Sequence, residues 1–303
     1  MKILVTGGAG FIGSHIVEHY QHRAEVVVLD NFRTGRIHNL KGLKCQVVEG
    51  SILDRELLDS IMPGVDYVFH LAALVSVPES MECIHETVKI NVSGLLNVLE
   101  SARTCRVKKL IFASSAAVYG ECPEQPKQEC MLPAPRSPYA VTKLDGEYYC
   151  DLYHTEGWLS TASVRFFNVF GPRQDPASQY AAAVPIFIES ALHDRPITIF
   201  GDGGQTRDFI YVKDIVEALA FLAEDSTQHG VFNAGYGKSV SILDLVESIR
   251  AALGSDSPLR FVEERAGDLR HSTSDPSRLL QAGWQPSYSV NSGIEALLAR
   301  LPS

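Results

Sequence analysis

The chain has 303 residues, 45% of them hydrophobic and 21% charged, enough to bury one large core or two modest ones without metals or disulfides. A net charge of -9 without any basic block excludes the electrostatic footprint of a DNA- or RNA-binding surface. No apolar run approaches the roughly 18 residues of a membrane span, and the six cysteines are far apart with no C-x-x-C pair, which disfavours a membrane partner, a metal centre and a disulfide framework. The apolar start Ile3–Val5 runs into glycines without a charged leader, so a cytoplasmic chain with reduced thiols is expected, Cys122 and Cys130 included.

Short β-rich runs alternate with amphipathic stretches. Lys2 to Thr6 precedes a helix from about Ser14, Val26 to Asp30 is a second strand, and Cys45 to Glu49 precedes a helix from about Asp54. Tyr67 to Leu71, a long helix through Asn91 to Ala102, Leu110 to Ser114, a helix carrying Tyr139 and Lys143, and Ser163 to Phe167 continue the series. Such alternation predicts an α/β fold, a doubly wound parallel sheet covered by helices on both faces. The texture changes after Asn168, with Gly171-Pro172-Arg173, a helix near Val184 to His193 and a Gly201-Asp202-Gly203-Gly204 turn. Ile210 to Ala223 reads as strand then helix, Phe232 to Ala234 as strand and Ile242 to Leu253 as helix. We expect a first domain over 1–168 to which 206–236 returns, and a smaller α/β domain over 169–205 and 237–303.

The segment Thr6-Gly7-Gly8-Ala9-Gly10-Phe11-Ile12-Gly13 follows a predicted strand and opens a helix, the context in which G-x-G-x-x-G is meaningful. Glycines allow a tight turn and let backbone N–H groups approach a pyrophosphate at a helix N-terminus. Asp30 closes the next strand 20 residues beyond Gly10, where a carboxylate accepts from both hydroxyls of an adenosine ribose and repels a 2'-phosphate. NAD is therefore expected over NADP, with Arg33 as the one residue that argues the other way.

Tyr139-Ala-Val-Thr-Lys143 places a phenol and an ammonium on one helix face. A lysine beside a tyrosine favours the phenolate and would bring its pKa down from about 10, making Tyr139 a candidate acid/base. Such spacing alone is commonplace. Ser115, 24 residues upstream, is by itself a turn or cap residue as readily as a catalytic one, and Tyr119 reads as packing.

Taken in order, the glycine loop, Asp30, Ser114-Ser115-Ala116-Ala117-Val118-Tyr119-Gly120 and Tyr139-x-x-x-Lys143 resemble the extended short-chain dehydrogenase/reductases, most of all the UDP-hexose 4-epimerases. The likeness runs from Met1 to about Leu298 and also covers Asp30-Asn31, His70-Leu71-Ala72-Ala73 and Asn91. It implies a Rossmann domain with tightly held NAD and a smaller domain that binds the nucleotide sugar. Carried over, it assigns the cofactor to Gly7, Gly10, Phe11, Ile12, Gly13, Asp30, Asn31, Thr34, Gly35, Ser51, Ile52, Leu71, Ala72, Ala73, Asn91, Tyr139, Lys143 and Phe166. Ser51 stands where the family has an acidic residue, which leaves one adenine hydrogen bond open.

The same resemblance makes Tyr139 the base on the sugar 4-hydroxyl, Ser115 its partner on the 4-oxygen and Lys143 the holder of the nicotinamide ribose, which with the cationic ring keeps Tyr139's pKa low. Related dehydratases and decarboxylases carry acidic residues just after the catalytic Ser/Thr. Ala116 and Ala117 stand there, and neither moves a proton.

Arg207 and Arg265 match the family's diphosphate-binding arginines, whose planar forks suit phosphate oxygens, although an exposed arginine taken alone is usually in a surface ion pair. Asp268 would accept from the uridine ribose and Asn168 would donate to the phosphates. Ser76 completes the sugar contacts, and Ala183, Val184, Thr198 and Phe200 would hold the uracil. Four positions after Asp268 the family's glucose-specific members carry a tyrosine; Ser272 there implies that UDP-GlcNAc and UDP-GalNAc are accepted alongside UDP-Glc and UDP-Gal. A homodimer through the helices near Asn91 to Ala102 and Tyr139 to Tyr153 is a further implication. UDP-glucuronate 4-epimerisation, a net nucleotide-sugar reductase or dehydrogenase, and a non-catalytic NAD- or nucleotide-sugar-binding protein stay open as alternatives.

Overall fold

In the computed structural model, which describes residues 1–175, 183–264 and 269–301, strands and helices alternate from the first residues onward. The order is β1 (Lys2–Thr6), α1 (Phe11–Tyr20), β2 (Glu25–Asp30), β3 (Gln46–Glu49), α2 (Arg55–Ile61), β4 (Tyr67–His70), α3 (Val77–Glu82), α4 (Ile84–Val88), α5 (Gly94–Thr104), β5 (Lys109–Ser115), α6 (Pro138–Thr155) and β6 (Thr161–Phe166). There follow β7 (Asn168–Phe170), α7 (Ala183–Leu192), β8 (Ile197–Phe200), β9 (Thr206–Tyr211), α8 (Val212–Glu224), β10 (Gly230–Ala234), β11 (Ser239–Ser241), α9 (Ile242–Leu253), β12 (Leu259–Val262), β13 (His271–Ser272), α10 (Ser277–Ala282) and α11 (Val290–Leu298).

The chain forms two compact units. Met1–Gly120, Met131–Phe166 and Val216–Phe232 make the first; the described residues of Glu121–Cys130, Phe167–Ile215 and Asn233–Ser303 make the second. The return to the first unit is thus shorter than 206–236, because β9 pairs with β7, β11 and β13 of the second unit. Residues 121–130 also belong to the second unit. Lys127 N–H donates to the Thr273 carbonyl at 2.8 Å, and the Asn233 amide donates to the Lys127 carbonyl at 2.8 Å.

The first unit is built on a seven-stranded sheet in the order β10-β6-β5-β4-β1-β2-β3, with the ladders from β6 to β3 parallel. Parallel strands need crossovers and are buried on both faces, so they read as continuous apolar runs. Ile3, Leu4 and Val5 are fully buried, as is Val28. On one face, Leu4, Val27 and Leu29 pack with Leu58 and Met62 and with Leu95, Val98, Leu99 and Ala102 of α5. Each of the valine, leucine and methionine side chains contributes about 1.5–3 kcal/mol on burial. Strand order reverses at β1, which places the loops after β1, β2, β4 and β5 at the switch point where open α/β sheets bind ligands.

Two element boundaries differ from the sequence expectation. α1 begins at Phe11 with Gly10 as N-cap, so the glycine motif runs into the first helical turn. The helix expected over Asn91 to Ala102 is one part of a longer run: α4 continues through a π-helical turn, Lys89–Ser93, into α5. Asn91 sits in that turn, a distortion often found at functional positions. In the second unit, β7, β11 and β13 gather on β9, while β8 pairs in parallel with β12. Phe170, Tyr211, Leu245, Ile249 and Ile294 are buried in this unit. Among the described residues no helix is long and apolar enough to cross a membrane.

Candidate active site

Gly7 turns the chain out of β1 at φ +71°, and a Cβ there would lie 2.8 Å from the Ala72 nitrogen. Gly13 is packed by contact instead, since its Cβ would come within 2.3 Å of the Gly7 carbonyl oxygen. A larger residue at Gly7 would push the loops after β1 and β4 apart, and one at Gly13 would push α1 away from the glycine loop. No side chain caps α1 at Gly10, so its first-turn N–H groups and the positive end of its dipole are left to an anion.

Asp30 ends β2 and is buried; its Oδ2 accepts from Ala9 N–H at 2.9 Å and its Oδ1 from Phe32 N–H at 2.8 Å. Gly35 is buried against the carboxylate, where a Cβ would stand 2.8 Å from both oxygens. Thr34 and Asn31 are exposed in the loop between them, and the Asn31 side chain accepts from Arg33 N–H. Arg33 itself is held by Glu79 at 2.6 Å and Glu86 at 2.5 Å, so its guanidinium is already matched by two carboxylates. An uncapped helix N-terminus beside a buried carboxylate, with the nearby arginine occupied, fits a dinucleotide bearing a free 2'-hydroxyl.

The loop after β4 closes on the same spot. Leu71 N–H donates to the Thr6 carbonyl at 3.1 Å, and Ala72 N–H to the Thr6 hydroxyl at 3.3 Å; Ala73 follows, half-buried. His70 lies 2.8 Å from that hydroxyl through Nδ1. Burial, and then the charge of Lys143, push its pKa down to about 3, so it stays neutral. Asn91 accepts from Leu74 N–H at 2.7 Å and donates to the Leu74 carbonyl and the Thr142 hydroxyl, both at 3.0 Å, tying this loop to α6. Ser51 accepts from Leu53 N–H within its own turn. The Ile52 side chain is core, packed over Gly94, so only its backbone is left for a ligand.

Ser115 is the last residue of β5, level with Phe166 on β6. Its hydroxyl accepts from Ala117 N–H at 3.1 Å, capping the short helix Ala116–Tyr119, and it stands near enough to Tyr139 to lower the pKa of that phenol. Tyr139 stands in the first turn of α6, whose N-cap Ser137 accepts from Ala140 N–H. One turn on, Lys143 is buried, donates to the Ala113 carbonyl at 2.7 Å, and lies 5.7 Å from the Tyr139 ring centroid and 5.0 Å from that of Phe112.

This geometry corrects the expectation that Lys143 favours the Tyr139 phenolate. The ammonium faces the rings and a carbonyl, and burial pushes Tyr139's pKa up, opposed by the neighbouring Ser115 side chain. Burial also brings Lys143 down to about 8, opposed by the nearby Cys150 and Glu147. The chain's own groups therefore favour the phenol form of Tyr139, and a positive charge brought beside it would favour the phenolate.

Sequence reading missed the layer beneath. Glu147, one turn beyond Lys143, is a buried partner of Arg165 on β6, with bonds of 2.9 Å to Nε and 2.7 Å to Nη2. Ser114, adjacent to Ser115, donates to the same carboxylate at 2.5 Å. The Arg165 guanidinium covers the buried Tyr119 ring at 4.7 Å, which makes Tyr119 a packing residue. An arginine in the otherwise uncharged stretch Thr161 to Phe167 was the available signal, since a charge in a buried strand requires a partner.

The second unit holds the other candidates. Arg207 on β9 is half-buried, donates to the Thr206 carbonyl at 2.8 Å and pairs in register with Ser272 on β13. Asn168 on β7 pairs with Phe209 and donates to the Asp208 carbonyl at 3.0 Å. These three thus share the strands around β9, while Thr198 and Phe200 are half-buried on β8 and Ala183 and Val184 open α7. In the first unit, Ser76 caps α3 by accepting from Glu79 N–H. Arg265 and Asp268 lie outside the described residues, as does the stretch 180–182. No group of three or more metal-ligating side chains occurs among the described residues.

Residues 3–235 match the model of the NAD dependent epimerase/dehydratase family. The UDP-glucose 4-epimerase of Mycolicibacterium smegmatis is 38% identical over 304 residues, 97% of this chain and 96% of that protein. The UDP-N-acetylglucosamine 4-epimerase of Methanobrevibacter ruminantium M1, solved with UDP-N-acetylmuramic acid, superposes with a TM-score of 0.93 at 38% identity over 99% of both chains. The Thermus thermophilus UDP-glucose 4-epimerase, solved with NAD, gives a TM-score of 0.89 at 38% identity over 99% of this chain and 98% of that one.

Proposed function

Since the chain belongs to the NAD-dependent epimerase/dehydratase family, we propose that it is a UDP-hexose 4-epimerase that inverts C4 through a transient 4-keto sugar. One observation carries this reading: Ser115 at the end of β5 stands beside Tyr139, close enough to lower its pKa, and the next residues are Ala116 and Ala117. A proton can be exchanged with one oxygen there, while the following positions supply no acid/base group for elimination.

NAD, when bound, would supply reversible hydride transfer at the sugar C4. Gly7, Gly10, Phe11, Ile12 and Gly13 would hold its pyrophosphate, and Asp30 would accept from the hydroxyls of its adenosine ribose. Lys143 would donate to the nicotinamide ribose. Tyr139 removes the proton of the 4-hydroxyl and later returns it to the oxygen of the opposite stereoisomer; Ser115 bonds that oxygen throughout, accepting in one half-reaction and donating in the other. The ketone turns over before the hydride is restored.

The second unit supplies the nucleotide contacts: Arg207 and Arg265 for the diphosphate, Asp268 for the uridine ribose, and Asn168, Ala183, Val184, Thr198 and Phe200 around phosphate and uracil. Ser272, in register with Arg207, is small where the family's glucose-specific members carry a tyrosine, which favours UDP-GlcNAc and UDP-GalNAc as substrates in addition to UDP-Glc and UDP-Gal. The N-acetylhexosamine epimerase among the similar structures supports this assignment.

A homodimer is part of the same reading. Val141, Tyr148 and Leu152 are exposed along one stripe of α6, and Met81, Ile84 and Val88 are exposed on α3 and α4. This face favours α4 and α6 as its centre over α5, whose apolar residues Leu95, Val98 and Leu99 are in the core. A side-by-side assay on UDP-Glc, UDP-GlcNAc and UDP-GlcA tests the substrate assignment: turnover of UDP-GlcNAc supports it, and turnover of UDP-GlcA alone rejects it.

A further inference from the structure

We infer that Arg33, with Glu79 and Glu86, is an ionic strap that crosses the pyrophosphate site and retains the dinucleotide. This rests on the reading that NAD occupies the glycine loop. The observation is topological. Arg33 lies three residues beyond the end of β2, whereas Glu79 on α3 and Glu86 on α4 lie in the connection after β4. In the sheet, β1 stands between β2 and β4, so a bond from one connection to the other passes across the carboxyl end of β1, from which Gly7 to Gly13 emerge. With neighbouring strands about 4.8 Å apart, the span is about 10 Å. Facing arginine and glutamate side chains cover it, and the structure holds them at 2.6 and 2.5 Å.

Both anchors are fixed. On the β2 side, Asp30 accepts from Phe32 N–H and Asn31 from Arg33 N–H, and Phe32 is held at φ +55°. On the β4 side, Ser76 caps α3 through Glu79 N–H, and the adjacent Ser80 accepts from the backbone N–H of Tyr139 at 3.2 Å. A cofactor that leaves the reaction unchanged has no need to depart between turnovers. A strap anchored beside the ribose carboxylate at one end and beside the catalytic tyrosine at the other serves that economy, and it leaves Arg33 unable to reward a 2'-phosphate.

Stopped-flow displacement of NADH fluorescence by excess NAD, on the purified full chain, tests the strap. Glu79→Gln/Glu86→Gln and Arg33→Met alter exposed or half-exposed side chains, so both variants should fold. In either, the NADH off-rate should rise about tenfold, the scale of two exposed ion pairs acting together. Raising salt from about 0.05 to 0.5 M should accelerate release from the wild type and leave the variants nearly unchanged, because the broken pairs have nothing further to screen. Variants that release NADH at the wild-type rate, or that share its salt response, overturn the strap. Wild-type protein that binds no NADH overturns the cofactor reading itself.

Discussion

Replacing Glu147 with alanine should destabilise the first unit more than any other single polar truncation near the site. Glu147 and Arg165 are each only 3% exposed, so solvent screens their interaction little. The truncation removes the bonds at 2.9 and 2.7 Å and the acceptor of Ser114, and it leaves a guanidinium charge in the core. Breaking a buried pair from one side costs about 3–5 kcal/mol. At about 2–4 °C per kcal/mol for a unit of this size, thermal unfolding followed by circular dichroism should begin roughly 10 °C lower. Removing both charges in Glu147→Leu/Arg165→Met should restore most of the loss, because desolvation disappears with the pair. A cost below about 1 kcal/mol for Glu147→Ala would refute the reasoning, since it would mean that water already reaches the pair.

Tyr139→Phe removes the proton carrier and keeps the ring, so kcat should fall about 10²–10⁴-fold with NAD still bound, measured by coupled assay and cofactor release on denaturation. Lys143 titrates at about 8, and its folded value lies below that of a free lysine; the charged form is present below that pH and is lost as pH rises through it. Activity should therefore have an alkaline limb near or below 8, and Lys143→Arg, which keeps its charge, should lose that limb in a pH–rate profile even if its maximal rate is lower. Gly13→Ala drives a Cβ to 2.3 Å from the Gly7 carbonyl. At an overpacking cost of about 1–3 kcal/mol, NAD affinity by fluorescence titration should drop about tenfold or more.

The first unit was legible because its chemistry is local. Gly7 to Gly13, Asp30 and the apolar runs of β1 and β2 are contiguous, and a parallel sheet writes burial on both faces directly into composition. Tyr139 and Lys143 were legible as a face of a helix. The direction of Lys143 was not, because the Ala113 carbonyl that captures it belongs to β5 and only the packed fold brings the two together. Glu147 and Arg165 are 18 residues apart and meet for the same reason. The short strands of the second unit, such as His271–Ser272, carry too few residues for a periodic pattern. Residues 121–130 look like an ordinary loop in sequence, and nothing local reveals that Lys127 forms a bridge with Ser274, just beyond β13.

The most direct test of the account is to incubate purified protein with UDP-GlcNAc and, separately, UDP-Glc, resolving the products by NMR while following NADH absorbance. UDP-GalNAc and UDP-Gal should each form reversibly and without net accumulation of NADH. Failure to interconvert any UDP-hexose while NAD is bound, or NADH formed in proportion to product, would contradict it.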